Sequence, residues 1–356
     1  MALRDTLERI WWQPRRGALA WLLSPMSLVY RLLHGCQQWP WQRGWRQAWR
    51  APVPVLVVGN LVVGGAGKTP TVIALCQALE RRGWRPGIIS RGYGTRRPRP
   101  DRPMEVTADS DAGQVGDEPL LMARRTGRPV WVAAARVAAA QALCARHPEL
   151  NLLISDDGLQ HPALQRDAQV LVFDDRGTGN GLLLPAGPLR EPLPCRLPAR
   201  TVVLYNAKAP STSLPGACAQ RRLAGIQPLR DWWSGARGAM QPLELWRGRR
   251  VLAAAGIGHP ERFFSMLEQA GLLVDRLPLA DHAPLDRRPW PAEATCVLVT
   301  EKDAVKLKLR PADMDEGAHV AEGADAQAIH VATLDFAIPD NTVDNVEQLL
   351  LAARRP

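Results

Sequence analysis

Residues 57–70 read VVGNLVVGGAGKTP, and the fold turns on this stretch. An apolar run enters a glycine-rich turn, and Lys68-Thr69 then open a segment of helical period. Strand, glycine loop and helix in that order form the context in which a chain cradles phosphate. The general pattern G-x-x-x-x-G-K-[ST] asks for glycine at position 62, where this chain has Val62. Gly64, Gly65 and Gly67 still permit close backbone approach. The N–H groups from Gly64 through Ala66 to Lys68 would line an anion nest at a helix N-terminus. In that arrangement Lys68 reaches the β- and γ-phosphates and the Thr69 hydroxyl meets Mg²⁺. A related ATPase pattern carries a lysine at the position of Val63, so that dimeric class is disfavoured.

Outward from the loop, strand-like and helix-like segments alternate. Residues 53–60 read as a buried strand and 69–84 as a helix. PGIISRGYG at 86–94 is a second strand ending in glycines, before a polar loop rich in arginine and proline. DEPLLMARRTG, PVWVAA and RVAAAQALCARHP follow as helix, strand and helix, and then come strands at 151–157, 168–175 and 201–207. Such alternation predicts a mainly parallel sheet covered by helices, an α/β fold. The pattern weakens over 208–247 and resumes from 248 as a second, smaller α/β unit. The expected organisation is therefore an N-terminal segment 1–50, a P-loop lobe 51–207, a connector 208–247 and a second lobe 248–356.

A phosphate loop needs an acid at the end of a neighbouring strand. LLISDDGLQH supplies Asp156 and Asp157 at the sheet edge where ligands gather, and at least one carboxylate is expected near Mg²⁺. Asp117-Glu118 begin a helix, where the motif by itself favours a capping carboxylate over a catalytic one. Arg190-Glu191 lie in a stiff Pro/Gly loop and alone read as an ion pair. His161 and His282 are ambiguous in isolation.

The first fifty residues differ from the rest. They hold seven of the 13 tryptophans and eight arginines against Asp5 and Glu8. The uncharged run at 17–30 falls short of the roughly 20 residues that span a bilayer. Tryptophan and arginine around a short apolar helix fit an interfacial anchor on anionic lipid, and a helix packed on the protein's own core is the alternative. The net charge of +10 suits anionic partners, but no recognised nucleic-acid module accompanies it. Six scattered cysteines without a C-x-x-C pair suggest neither zinc nor disulfides. No obligate protein partner is evident.

Taken in order, VGNLVVGGAGKTP, SRGYG, GDEPLL, SDDGLQH, RGTGNGLLLPAGPLREP, AAAGIGHPERFF and TEKDAVKL resemble the tetraacyldisaccharide 4′-kinase (lipid A 4′-kinase) family of Gram-negative bacteria. That family tolerates a non-glycine at 62. The resemblance implies two α/β/α lobes flanking a cleft, with an N-terminal helix docked on the cytoplasmic face of the inner membrane. It also implies ATP- and Mg²⁺-dependent phosphorylation of the 4′-hydroxyl of a membrane-borne acylated glucosamine disaccharide 1-phosphate. Carried over, Lys68 and Thr69 are phosphate and Mg²⁺ residues and Asp117 is the base, with His282 tuning it. Asp157 and Glu191 become metal-side carboxylates and Arg190 a phosphate clamp, while Asp156, Glu118 and His161 support the site. The competing readings are a P-loop enzyme acting on a soluble substrate, and a nucleotide-dependent membrane switch without an acceptor.

Overall fold

The computed structural model describes residues 2–13, 16–92, 102–307 and 328–354. Tyr93 and Gly94 of the SRGYG segment lie outside the described residues. Two helices begin the chain, α1 (Ala2–Trp11) and α2 (Ala18–Gln42). Strand β1 (Val55–Gly59), buried at every position, then runs into the glycine loop and α3 (Lys68–Arg81). The order continues β2 (Pro86–Ser90), β3 (Met104–Val106), α4 (Ala112–Val115), α5 (Asp117–Thr126), β4 (Val130–Val132) and α6 (Arg136–Arg146). Next come β5 (Leu152–Asp156), β6 (Ala168–Asp174), β7 (Thr201–Asn206) and β8 (Ala217–Cys218). These strands form one sheet in the order β3-β4-β2-β5-β1-β6-β7-β8, parallel except for β3. Strands buried on both faces are what their near-continuous apolar sequences require. The loop after β1 sits between β5 and β6, where the chain crosses from one side of β1 to the other, the usual location of ligands in such sheets.

A second sheet is built from β9 (Gln220–Pro228), then, after α7 (Leu229–Ser234), from β10 (Arg250–Ala255). Helix α8 (Pro260–Gln269), β11 (Leu273–Pro278), β12 (Cys296–Thr300), α9 (Glu301–Ala304), β13 (Ala328–Ala337) and α10 (Asp340–Leu351) complete the chain. Its order is β11-β10-β12-β13-β9, with β9 antiparallel at the edge.

Two features depart from the expected division. Segment 208–247 is no simple connector, because it supplies β8 to the first sheet and β9 and α7 to the second. Strand β9 lacks clean alternation since its first half is an exposed edge and its register shifts opposite Thr333/Leu334. In addition, α10 leaves the second sheet and packs on α3, β6 and β7 of the first. Glu347 fastens it by accepting from Trp84 Nε1 at 2.9 Å and Arg82 at 2.8 Å. One core consequently runs through both sheets, joining Leu56, Val72 and Leu120 to Val297, Val331 and Val346. Separate cores fill the α6 face of the first sheet and the α8 face of the second.

The N-terminal helices are seated on the loop 177–190. Trp11 Nε1 donates to the Pro185 carbonyl at 2.8 Å, Ser27 Oγ to Leu183 at 2.8 Å and Tyr30 OH to Arg190 at 3.0 Å. Only a narrow stripe of α2 is covered, through Ala20 and Ser27. Trp21, Leu22, Met26, Leu28, Val29, Leu32 and Leu33 remain exposed. Among the described residues, no helix is long and apolar enough to cross a membrane. All six cysteines are free.

Candidate active site

Val62, the apparent fault in the loop, is completely buried and forms an antiparallel bridge with Leu189. Val63 N donates to Pro188 at 2.9 Å and Arg190 N to Leu61 at 2.7 Å. An extended, apolar residue at 62 therefore knits the start of the loop to the PAGPLRE segment and brings Arg190 beside it. Glycine would weaken that bridge. The close approach lies further on. Gly67 has φ 91, and a Cβ there would overlap the buried Asn206 amide, which donates to Ala66 O at 3.1 Å. Asn60 braces the loop by donating to Gly64 O at 3.3 Å and accepting from Lys68 Nζ at 3.2 Å. Arg176 lies across the outside, donating to Gly65 O at 3.4 Å with its guanidinium 3.8 Å above the Trp12 ring.

The two aspartates after β5 have different surroundings. Asp157 takes a positive φ of 47°, uncommon for a residue with a side chain. Its carboxylate lies 3.8 Å from Lys68 Nζ and 3.3 Å from Arg190 Nη1. Burial would raise its pKa, but those two cations hold it below the ordinary value. Asp156 is buried, with Oδ2 accepting from Ser90 Oγ at 3.0 Å and Oδ1 without a hydrogen-bond partner among the described residues. Burial, with the charges of Glu118 and Asp157, pushes its carboxyl up to about 7. An orphaned buried oxygen facing a site is costly unless something occupies it. Asp156 Oδ1, like the hydroxyl of the buried Thr69 at the start of α3, is the kind of oxygen a hard divalent cation takes. Among the described residues no three His, Cys, Asp or Glu cluster as a protein-only metal site, so phosphate and water oxygens would complete such a shell.

Glu191 stands on the far side of Gln160 from Arg190. It accepts from Gln160 Nε2 at 2.9 Å and lines a cavity of about 420 Å³ with Leu61, Arg166 and Arg200. Gln160 Oε1 in turn accepts from Arg190 at 3.3 Å, so Glu191 reaches the loop through a relay of side chains. The ion pair expected of neighbours Arg190 and Glu191 is replaced by Arg190–Asp157. His161 is half-buried, and burial together with Arg136 and Arg91 pushes its pKa down to about 4, leaving a neutral ring.

Asp117 begins α5 and is buried. Its carboxylate accepts from His282 Nδ1 at 2.9 and 3.1 Å, across 165 residues of sequence. Glu118 N also donates to it at 2.9 Å. Burial would raise the Asp117 carboxyl, but the hydrogen bond from His282 and the charge of Lys302 hold it below its usual range. His282 follows β11 with φ 59. Its hydrogen bond to Asp117 raises its pKa, opposed by burial and Lys302. Lys302, in α9 directly after β12, donates to Glu118 Oε1 at 2.9 Å and Asp281 Oδ1 at 3.1 Å and lies 3.4 Å from His282 Nε2. The turn after β10 connects this cluster to the phosphate loop. A Cβ on Gly258 would sit 3.7 Å from Asp281 Oδ2 and 4.0 Å from Gly65 N. The C-terminal edges of the two sheets thus face each other, one presenting the glycine loop with Lys68 and the other a buried carboxylate–imidazole pair.

Lys302, Asn60, Gln160, Asn206, Arg176 and Arg136 escaped the sequence reading. Arg136 is buried and donates to the Asp156 carbonyl at 3.2 Å. For Lys302 a signal existed, because Glu301-Lys302-Asp303 follow an apolar strand as Asp156-Asp157 do.

A sequence model described as tetraacyldisaccharide-1-P 4′-kinase matches residues 19–349. The chain is 50% identical to a tetraacyldisaccharide 4′-kinase of Leptothrix cholodnii over 99% of this chain and 98% of the relative. It is 48% identical to that of Methylibium petroleiphilum over 90% and 87% of the two chains. A crystal structure of "apo" form LpxK from Aquifex aeolicus in complex with ATP superposes with a TM-score of 0.70 at 24% identity. The match covers 93% of this chain and 99% of that one.

Proposed function

The chain belongs to the tetraacyldisaccharide-1-phosphate 4′-kinase family, and we propose that the site transfers the γ-phosphoryl group of ATP to the 4′-hydroxyl of a tetraacylated disaccharide 1-phosphate, a step of lipid A biosynthesis. The observation that carries this mechanism is the Asp117–His282 pair set opposite the phosphate loop.

ATP is the donor. Its β- and γ-phosphates lie against the N–H groups of residues 64–68, with Lys68 and Arg190 neutralising charge. The substrate oxygen attacks the γ-phosphorus while Asp117 accepts the hydroxyl proton, the bond to the β-phosphate oxygen breaks, and ADP leaves. His282, donating through Nδ1, fixes the carboxylate and spreads the proton's charge once it arrives. Positioning and electrostatics are the chain's main contributions in phosphoryl transfer. Thr69 and Asp156 would hold Mg²⁺, with Asp157 close by, and the ion supplies charge neutralisation between the phosphates when bound. Glu191, the other carboxylate expected on the metal side, is joined to this set through Gln160 and Arg190.

The acceptor is a lipid, and the exposed apolar face of α2 supports docking on the cytoplasmic face of the inner membrane through its anionic lipids. The bond from Tyr30 to the Arg190 carbonyl connects that helix with the site. Feeding γ-labelled ATP and the acceptor in mixed micelles tests the proposal. Wild type should yield labelled lipid, and Asp117→Ala should bind ATP without yielding any. Near-normal transfer by Asp117→Ala would remove Asp117 as base.

A further inference from the structure

A buried carboxylate acts as base only while its partner imidazole leaves it basic. The arrangement around His282 determines which nitrogen carries the proton. The Asp117 carboxylate has only acceptors to offer Nδ1, at 2.9 Å, so Nδ1 carries hydrogen. On the other side of the ring, Lys302 Nζ lies 3.4 Å from Nε2, and an ammonium has only donors. Toward that ammonium Nε2 can present only its lone pair. Asp281 Oδ1, which would favour a proton there, is farther away at 3.7 Å.

Lys302 is itself held in place and kept charged. Glu118 and Asp281 accept from it at 2.9 and 3.1 Å. Burial works against its charge, but these acids and Asp117 hold its pKa well above the ordinary lysine value. Among the described residues, the charged groups facing His282 include Asp117 from α5, Asp281 from its own loop and Lys302 from α9, with Glu118 on the far side of Lys302 and Lys306 adding positive potential at Asp117.

We infer that Lys302 is a positioning residue for phosphoryl transfer, its ammonium holding His282 as the neutral, Nδ1-protonated imidazole that keeps Asp117 ready to accept a proton. The inference rests on Asp117 as base. It also adds a reason for lobe apposition. Glu118 and Asp117 belong to the first sheet's helix, Lys302 and His282 to the second sheet's edge, so the dyad and its tuning charge assemble together.

The test uses the full-length enzyme in mixed micelles with ATP and the acceptor lipid. With Lys302→Met, an imidazolium beside Asp117 survives to higher pH, and the acid limb of the kcat/KM profile moves up by about one pH unit. Lys302→Arg, which retains the charge, keeps the limb near wild type. ¹⁵N-histidine NMR of the wild-type protein, with His282 assigned by the loss of its signals in His282→Asn, should show a neutral ring protonated at Nδ1 at pH 7.5. An unmoved acid limb with a uniformly lower plateau would reduce Lys302 to a structural contact. An Nε2-protonated ring or an imidazolium at that pH would overturn the inference, even if the methionine variant fails to fold. Should Asp117→Asn turn over normally, the base assignment fails by itself, while the ring's protonation still decides the role of Lys302.

Discussion

If α2 carries the enzyme onto lipid, removing side chains from its uncovered arc should loosen membrane binding by a calculable amount. At about 100° per residue, Ala20, Ser27, Tyr30 and His34 point toward the body. Leu22, Met26, Val29 and Leu33 share one uncovered line. Leu22 and Leu33 are 73% and 66% exposed. Fully burying a leucine is worth roughly 1.5–3 kcal/mol, so about two thirds of a side chain contributes roughly 1–2 kcal/mol. The double variant Leu22→Ser/Leu33→Ser should thus forfeit about 2–4 kcal/mol, a partition roughly 30- to 1,000-fold weaker. Flotation with vesicles containing anionic phospholipid measures this directly, and KM for the acceptor in mixed micelles should rise while KM for ATP holds. Leu245→Ser is the control, because Leu245 is 58% exposed but belongs to the segment leading into β10 and not to α2. Partition of the double variant within twofold of wild type would refute the assignment of this face to lipid.

Four further outcomes follow from the site. Asp117→Asn should lower kcat by roughly 10²- to 10⁴-fold with nucleotide affinity retained, read by single-turnover labelling; a small loss would mean another base. Val62→Gly, which restores the generic pattern, should destabilise by about 2–3 kcal/mol through lost burial and added backbone freedom, measured by urea unfolding; a change below about 0.5 kcal/mol would mean that the bridge to Leu189 is unimportant. Gly67→Ala should cost about 2–3 kcal/mol, from a positive φ and the displaced Asn206–Ala66 hydrogen bond, and raise KM for ATP. Gly65→Ala, with no atom in the way of a Cβ, should leave the melting temperature nearly unchanged.

A further outcome concerns pH. Asp117, depressed in the fold, contributes stability that is full above its unfolded value of 3.8 and lost as pH falls through its folded pKa. His282, raised by Asp117, contributes stability that is full below 6.5 and lost as pH rises through its folded pKa. Their pairing is strongest between those two values. Melting temperatures of wild type minus His282→Asn should show that window, and a difference flat in pH would contradict the pairing. Catalysis needs the other side of it, where the ring is neutral.

Much of this was legible because it is local. The strand–loop–helix at 55–81 and the Asp156-Asp157 ending of β5 are consecutive residues whose apolar run, glycines and charges bear their own conformations. The uncharged run of α2 and its tryptophans and arginines likewise announced a surface helix, although the helix extends through 25 residues with Pro25 and Pro40 inside it. Periodicity failed over 208–247, where β9 is half-exposed and shifted in register and so shows no face to the eye.

Sequence by itself determined the fold class, the glycine loop and the acids beside it, since backbone dihedrals and strand ends are decided by neighbours along the chain. Tertiary structure decided what those acids do. Whether Asp117 is a helix cap or a base depends on His282, 165 residues away. Whether Asp157 or Asp156 has a free oxygen depends on Arg190 and Ser90 arriving from other elements. The turning of Glu191 toward Gln160 and the ammonium of Lys302 behind His282 are likewise products of packing. Charge and hydrogen bonding act through space over a few ångströms, and only the folded chain sets which groups come that close.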